Sequence, residues 1–132
     1  LEPVMRILYS RPQKKGRTVF GDMVKQGEIW RLGANENSEL HVFKAVNIGG
    51  ETIKPGRYSL HLLPEEGKWT LILNTDLDAW GSYAYNEEND VARFAADVQT
   101  LETTVEALSI MFNEDALVIA WENSMISIPV KG

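Results

Sequence analysis

The sequence predicts an all-β protein, a single-domain β-sandwich over residues 1–132 with two mostly antiparallel sheets and about nine strands. Apolar and polar residues alternate with a period of two in many short segments, which is the pattern of half-buried strands. Glycine, proline and asparagine turn markers separate these segments roughly every ten residues, the spacing typical of sandwiches and barrels. A chain of 132 residues with 44% apolar and 24% charged residues suits one globular domain.

The first strands follow from alternation and turn chemistry. In "VMRILYS", every second residue from Met5 to Tyr9 is apolar, and "ELHVF" alternates in the same way around Leu40. "VNIGGETI" predicts a hairpin, because Gly49 and Gly50 adopt the positive φ that a tight turn requires. "GDMVKQG", residues 21–27, is the one segment that suggests a short helix, with Asp22 as its cap.

The later strands are longer and more apolar. A turn at Pro55-Gly56 precedes the strand "RYSLHLL", and "KWTLILN" and "VARFAADV" predict two further strands. The tail predicts a meander of three strands, about residues 105–112, 116–122 and 125–130, separated by turns at "NED" and "ENS". Because "TLILN" and "ALVIAW" are apolar on both faces, we expect them to be central strands.

Composition excludes several classes of function. The net charge of −6 argues against a nucleic-acid partner, because such binding neutralises phosphates with Lys and Arg. The chain has no cysteine, no dinucleotide or phosphate-loop motif, and no apolar run near the roughly 20 residues of a transmembrane segment. Only His41 and His61 could be histidine ligands, and we expect both to have structural contacts. The sequence therefore predicts no cofactor and no metal site.

Charge is unevenly distributed along the chain. Five basic residues lie between Arg6 and Arg17, whereas eight acids and one base, Arg93, lie between Glu87 and Asp115. The two segments are expected to lie beside each other in the fold and to attract. A basic turn that holds an anion is the less favoured alternative.

Two adjacent segments invite a ligand-binding interpretation. "NTDLDAWG" resembles the first half of a calcium loop, but Ala79 and Tyr85 stand where glycine and glutamate belong. We therefore predict a polar turn in which Asn and Asp side chains bond to nearby backbone. In "AWGSYAY", Trp80 and Tyr83 could form a ligand platform, although core or cross-strand packing is the favoured role.

The segment "EIWRLGANE" has two interpretations. In the structural one, Asn35 makes a turn, Arg31 pairs with Glu36, and the stem of Arg31 lies along Trp30. In the functional one, Trp30 forms the floor of a pocket, and Arg31 at the entrance binds a carboxylate or phosphate. Asn35 would contribute its amide there, and Glu36 would bind a hydroxyl or act as a base.

Five segments, "YSRPQKKGRTVFG", "EIWRLGANE", "KPGRYSL", "KWTLILN" and "WGSYAY", occur in an order that resembles a bacterial family called domain of unknown function twenty-nine-eleven. The resemblance runs from about Tyr9 to Arg93 and implies an extracytoplasmic location, periplasmic or secreted, with which the absence of cysteine is compatible. It supplies no activity. One departure is Asn37-Ser38, where the family usually has alanine and threonine. The family's recurrent positions are matched by Gly16, Arg17, Phe20, Gly21, Trp30, Arg31, Gly33, Ala34, Asn35, Glu36, Gly56, Tyr58, Trp69, Asn74, Trp80 and Gly81.

The leading expectation is a non-catalytic extracytoplasmic binding or interaction module. Its ligand would be small and polar, a saccharide or an anionic group. The alternative is a small hydrolase- or isomerase-like enzyme in which Glu36 is the acid or base, Arg31 stabilises charge, and His61 or His41 is the second titratable group. A structural partner domain with an aromatic sheet face is a third interpretation. The predicted ligand-binding residues are Trp30, Arg31, Asn35, Glu36, Trp80 and Tyr83, and the catalytic candidates are Glu36 and His61.

Overall fold

The computed structural model describes residues 4–21, 23–32, 38–77, 86–113 and 115–131. These residues form ten strands in two antiparallel sheets and one short 3-10 helix, which confirms the predicted all-β sandwich. The count exceeds the nine or so strands expected because of one strand of only two residues, Trp30–Arg31. The elements are β1 (Met5–Leu8), β2 (Trp30–Arg31), β3 (Ser38–Val42), β4 (Val46–Ile48), β5 (Glu51–Ile53), β6 (Gly56–Glu65), β7 (Lys68–Asn74), the 3-10 helix (Glu87–Asn89), β8 (Asp90–Asp97), β9 (Gln99–Asn113) and β10 (Ala116–Lys131).

The larger sheet has six strands in the order β1-β3-β6-β7-β8, with β2 also paired to β6. β3 pairs with β6 from Gly56 to Leu60, and β2 continues along the same edge of β6 at His61 and Leu62. The smaller sheet has the order β5-β4-β10-β9. As predicted from its apolar sequence, β7 is an interior strand between β6 and β8. β10 lies between β4 and β9, but β4 pairs with its end at Val130 and Lys131, whereas the predicted central segment "ALVIAW" pairs with β9.

The core lies between the two sheets and is built from alternate residues. Tyr58, Leu60 and Leu62 of β6 are at most 7% exposed, and they meet Leu117 and Ile119 from the smaller sheet in one buried cluster. The residues in between, such as Ser59 and His61, therefore project from the opposite face of the larger sheet.

A group of four aromatic rings joins the two sheets at one end of the core. The ring centroids of Trp30 and Trp121 are 5.7 Å apart and stacked, and Phe20 lies 6.3 Å from Trp121 and 4.7 Å from Trp69. Large rings in contact bury more apolar area than any other side chains. This aromatic cluster is therefore a main contact between β2 and β7 of one sheet and β10 of the other.

Strand β10 bends back on itself. Sixteen extended residues would span roughly 50 Å, yet the amide of Val130 donates to the carbonyl of Asp115, just before the strand begins, at 2.8 Å. The ladder with β9 shifts register on both sides of Glu122, whose φ is +56°. The sequence predicts two strands with a turn at "ENS"; the structure has one continuous strand with its bend at that place.

The unusual backbone at Glu122 aims its carboxylate at the N-terminal segment. It accepts hydrogen bonds from the amides of Val19 at 3.0 Å and Phe20 at 3.4 Å, and from Lys14 Nζ at 3.0 Å. Although burial raises the pKa of Glu122, these hydrogen bonds and the charge of Lys14 outweigh it and hold the pKa below its usual value. The bend thus anchors residues 14–20 against β10.

The basic N-terminal segment lies along β9, as its charge predicts. The backbone amide of Lys15 donates to the Glu106 carboxylate at 2.8 Å, and Arg11 Nε donates to the carbonyl of Leu108 at 3.1 Å. The amide of Leu108 in turn donates to Pro12. The segment therefore covers an edge of the smaller sheet that would otherwise expose backbone groups.

The helix predicted at residues 21–27 is wrong. The described residues of this range form turns, a bridge between Phe20 and Val24, and a hydrogen bond from the amide of Gly27 to Pro64; Asp22 lies outside the described residues. Glycines at both ends, the local bridge and the hydrogen bond from Gly27 to Pro64 of β6 outweigh the weak local helix propensity.

Candidate functional site

The larger sheet buries polar side chains on the face that points away from the core. Ser59 and His61 of β6 are each 1% exposed, and Asn74 of the neighbouring strand β7 is fully buried. A sheet face outside the core is usually solvated, and a buried polar group is costly unless it is hydrogen-bonded. These side chains and their hydrogen-bond partners therefore form the candidate functional site. We call it the outer polar cluster and define it as Ser59, His61, Asn74, Asp76, Asn89 and Asp90.

Asn74 organises the cluster with three hydrogen bonds. Its Nδ2 donates to the carbonyl of Asn86 and to Asp90 Oδ1, both at 2.9 Å, and its Oδ1 accepts from the amide of Asp76 at 2.8 Å. Asn89 Nδ2 donates to both carboxylate oxygens of Asp76 at 3.0 Å. The polar turn predicted at "NTD" is confirmed, and it ties the end of β7 to the start of β8.

The charge of Asp90 is compensated within the cluster. Its second oxygen accepts a hydrogen bond from Arg93 Nε at 2.9 Å, and Arg93 also lies 3.4 Å from the carboxylate of Glu87. Asp90 thus accepts from both an amide and a guanidinium, so the buried end of the cluster carries a paired charge.

His61 is held as a neutral ring. Ser59 Oγ donates to the carbonyl of Asn74 at 3.2 Å and lies 3.3 Å from His61 Nε2. Because the Ser59 hydroxyl donates its hydrogen to the Asn74 carbonyl, it can only accept from His61. We therefore assign the imidazole proton to Nε2, which leaves Nδ1 as the acceptor nitrogen of the ring. Burial lowers the pKa of His61 to about 4, against the opposing influence of Asp90 and Asp76. The ring is therefore uncharged at neutral pH.

The structure separates two adjacent residues of the predicted site. Trp30 is paired with Leu62 and stacks on Trp121, so its ring belongs to the core. Arg31 is paired with His61, directly across the ladder from the outer polar cluster. The other predicted ligand-binding residues, Asn35, Glu36, Trp80 and Tyr83, lie outside the described residues, in segments 33–37 and 78–85.

The bases of these two segments are close together. Ser38 Oγ donates to the carbonyl of Leu32, which joins the ends of segment 33–37, and Asn74 Nδ2 bonds to Asn86 across segment 78–85. Ser38 and Leu73 are both paired with Leu60 of β6, one on each side. With strands about 4.8 Å apart, Ser38 and Leu73 are separated by roughly 10 Å, and Leu73 precedes Asn74, whose side chain bonds to Asn86. Residues distant in the chain are thus held on the two strands that flank β6.

A family profile described as "Protein of unknown function (DUF2911)" matches residues 2–130. The chain belongs to this family. No curated protein and no solved structure matches it. Membership in the DUF2911 family confirms the resemblance seen in the sequence and spans both segments that carry the predicted site. The family's description assigns no activity.

Sequence reasoning missed most of the outer polar cluster. A signal for Ser59 exists, because it stands two residues before His61 in the otherwise apolar "YSLHLL" and alternation places the two on one face. Asn74 and Asp76 were interpreted only as a turn. Asp90 gives no sequence signal, since its contact with Asn74 depends on how the chain returns from residue 85.

Two further findings bear on the chemistry. Among the described residues, no three histidine or acidic side chains form a group that could hold a metal ion. Nor does any helix in the described ranges have the length and apolar character to cross a membrane.

Proposed function

We propose that this DUF2911 protein is a non-catalytic extracytoplasmic binding module for a small polar ligand, a saccharide or an anionic group. The ligand would bind beside the outer polar cluster, at the ends of segments 33–37 and 78–85. One observation carries the proposal: the strands that precede or follow these segments pair with β6 near Ser59–His61, whose side chains belong to the outer polar cluster.

The residue types at this place suit such a ligand. The guanidinium of Arg31 matches a carboxylate or phosphate in a bidentate geometry, and Asn35 and Glu36 provide an amide and a carboxylate for hydroxyl groups. Trp80 and Tyr83 offer flat apolar area with little conformational entropy to lose. His61 is assigned a positioning role for Arg31, its partner in the ladder, because its own ring is buried and contacts Ser59.

The properties of His61 support binding over catalysis. An efficient general acid or base at neutral pH has a pKa near 7, whereas burial lowers the pKa of His61 to about 4. Its 1% exposure also keeps it from direct contact with a substrate. His61 therefore does not supply the second titratable group that the enzyme alternative, with Glu36 as acid or base, needs.

A thermal-shift screen against neutral sugars, sugar acids and small organic acids tests the proposal. A ligand that binds only the folded state stabilises it by about 2.7 kcal/mol at a hundredfold excess over Kd, which raises Tm. We expect Arg31→Gln and Glu36→Gln to abolish the shift. Arg6→Gln, which removes an exposed cation on β1, is the matched control and should retain it.

Two results would contradict this assignment. A compound whose shift survives both substitutions binds elsewhere on the molecule. A compound that is consumed during incubation, detected by NMR of the mixture, would instead support the enzyme with Glu36 at its centre.

A further inference from the structure

A cleft lies at one end of the sandwich, between residues 20–21 and 24–26 on one side and the hairpin that joins β6 to β7 on the other. It has a volume of about 230 Å³, and Phe20, Val24, Gln26, Pro64, Glu65 and Trp69 contribute to its walls. Trp69 and Pro64 are on the core side of the larger sheet. The cleft is therefore distinct from the outer polar cluster, which is on the opposite face.

Aromatic and apolar groups form the floor of the cleft. The rings of Phe20 and Trp69 are 4.7 Å apart at a tilt of 35°, and the edge of Phe20 also meets Trp121. Val24 and Trp69 are 2% and 4% exposed, whereas Phe20 is only half-buried. Phe20 is thus held on one side by buried rings and remains accessible on the other.

A carboxylate stands at the rim beside this aromatic floor. Glu65 is exposed, and none of the ion pairs between described residues involves it. Gln26 also contributes to the wall of the cleft. Lys68 is paired with Glu65 across the hairpin and supplies a modest opposing charge.

We propose that this cleft binds a small organic cation of the alkylammonium class. The methyl or methylene groups would lie against Phe20, and the positive charge would face Glu65. An aromatic face attracts cations through its quadrupole, and a nearby carboxylate adds to that attraction. The cleft volume is below the roughly 300 Å³ of the smallest drug-sized sites, so a small alkylammonium ion such as choline fits it.

Tryptophan fluorescence provides the test, since Trp69 lines the cleft. Titration with choline should give a saturable change, while the uncharged isostere 3,3-dimethylbutan-1-ol should bind at least about tenfold more weakly. A short peptide that contains trimethyllysine tests whether the ligand is a free cation or a methylated lysine side chain. If the peptide binds more tightly than choline, the ligand is a methylated lysine side chain.

Three substitutions locate the interaction, with circular dichroism to show that each variant is folded. Glu65→Gln should weaken choline binding about threefold to fivefold, and Phe20→Leu by a similar or larger factor. Lys68→Gln should strengthen it. Glu66→Gln, which changes the neighbouring carboxylate without touching the cleft wall, should have no effect.

Equal responses to choline and its isostere would overturn the proposal, as would no response to choline. A choline response that persists unchanged in both Glu65→Gln and Phe20→Leu would place the cation elsewhere. Arg31→Gln should not alter the choline response, so failure here is distinguishable from failure of the proposed function.

Discussion

His61 couples the stability of the protein to pH. In the unfolded chain its pKa is near 6.5, whereas burial in the folded protein lowers the pKa to about 4. Between these values the unfolded chain binds a proton that the folded protein excludes, so stability falls as pH decreases. The contribution is fully present above about pH 6.5 and is lost progressively down to about pH 4.

The variant His61→Gln isolates this effect at a single residue. It lacks the titrating ring, so its free energy of unfolding should decrease less than that of the natural protein between pH 7.5 and pH 5. The expected difference is about 2 kcal/mol, measured by urea unfolding at both pH values. Identical pH dependence in the two proteins would show that His61 is not held neutral in the folded state.

At the scale of an element, the β4–β5 hairpin depends on two glycines with different neighbours. Both have positive φ, +59° for Gly49 and +92° for Gly50. A Cβ on Gly49 would lie 2.6 Å from Phe94 Cδ1, whereas a Cβ on Gly50 would meet nothing within 4 Å. Gly49 therefore serves both the turn and the contact between the hairpin and β8.

Alanine substitutions separate these two roles. Gly50→Ala should destabilise the protein by about 1 kcal/mol through backbone strain alone. Gly49→Ala adds a clash with the buried ring of Phe94, which should cost roughly a further 1–3 kcal/mol. Chemical denaturation of the two variants measures the difference, and equal losses would mean that Phe94 moves aside freely.

The elements themselves were largely predictable, because alternation and turn residues are local signals. Leu40 and Ala92 lie on the buried faces that the pattern predicts, and Gly49-Gly50 forms the expected turn. The break at "ENS" was predicted, but the continuity of β10 through Glu122 was not, since the conformation there depends on hydrogen bonds to residues about a hundred positions away. The same holds for the site: His61 was a candidate, but its pairing with Arg31 is a long-range contact that composition does not encode.

At the scale of the whole molecule, the two sheets share one core. Three of the four tryptophans, Trp30, Trp69 and Trp121, belong to the aromatic cluster that joins the sheets. Neither sheet can keep its apolar face buried without the other. Apart from the hairpins, the paired strands come from distant parts of the chain. Non-local pairing of this kind is associated with folding in milliseconds to seconds.

We therefore expect the chain to unfold as one cooperative unit, in accord with the single domain predicted at residues 1–132. Far-UV circular dichroism follows the strands, and tryptophan fluorescence follows the contact between the sheets. Their urea midpoints should coincide. Loss of fluorescence at a lower urea concentration than loss of β-structure would show that the sheets separate first.

The arrangement around β6 has an evolutionary consequence. The described core is built from strands that end before residue 33 and resume at residue 38, and likewise stop before residue 78 and resume after residue 85. The two intervening stretches nevertheless carry recurrent positions of the family, among them Asn35, Glu36 and Trp80, and polar residues that recur in a connecting segment point to function more than to packing. Homologues that bind the same ligand are expected to share these residues.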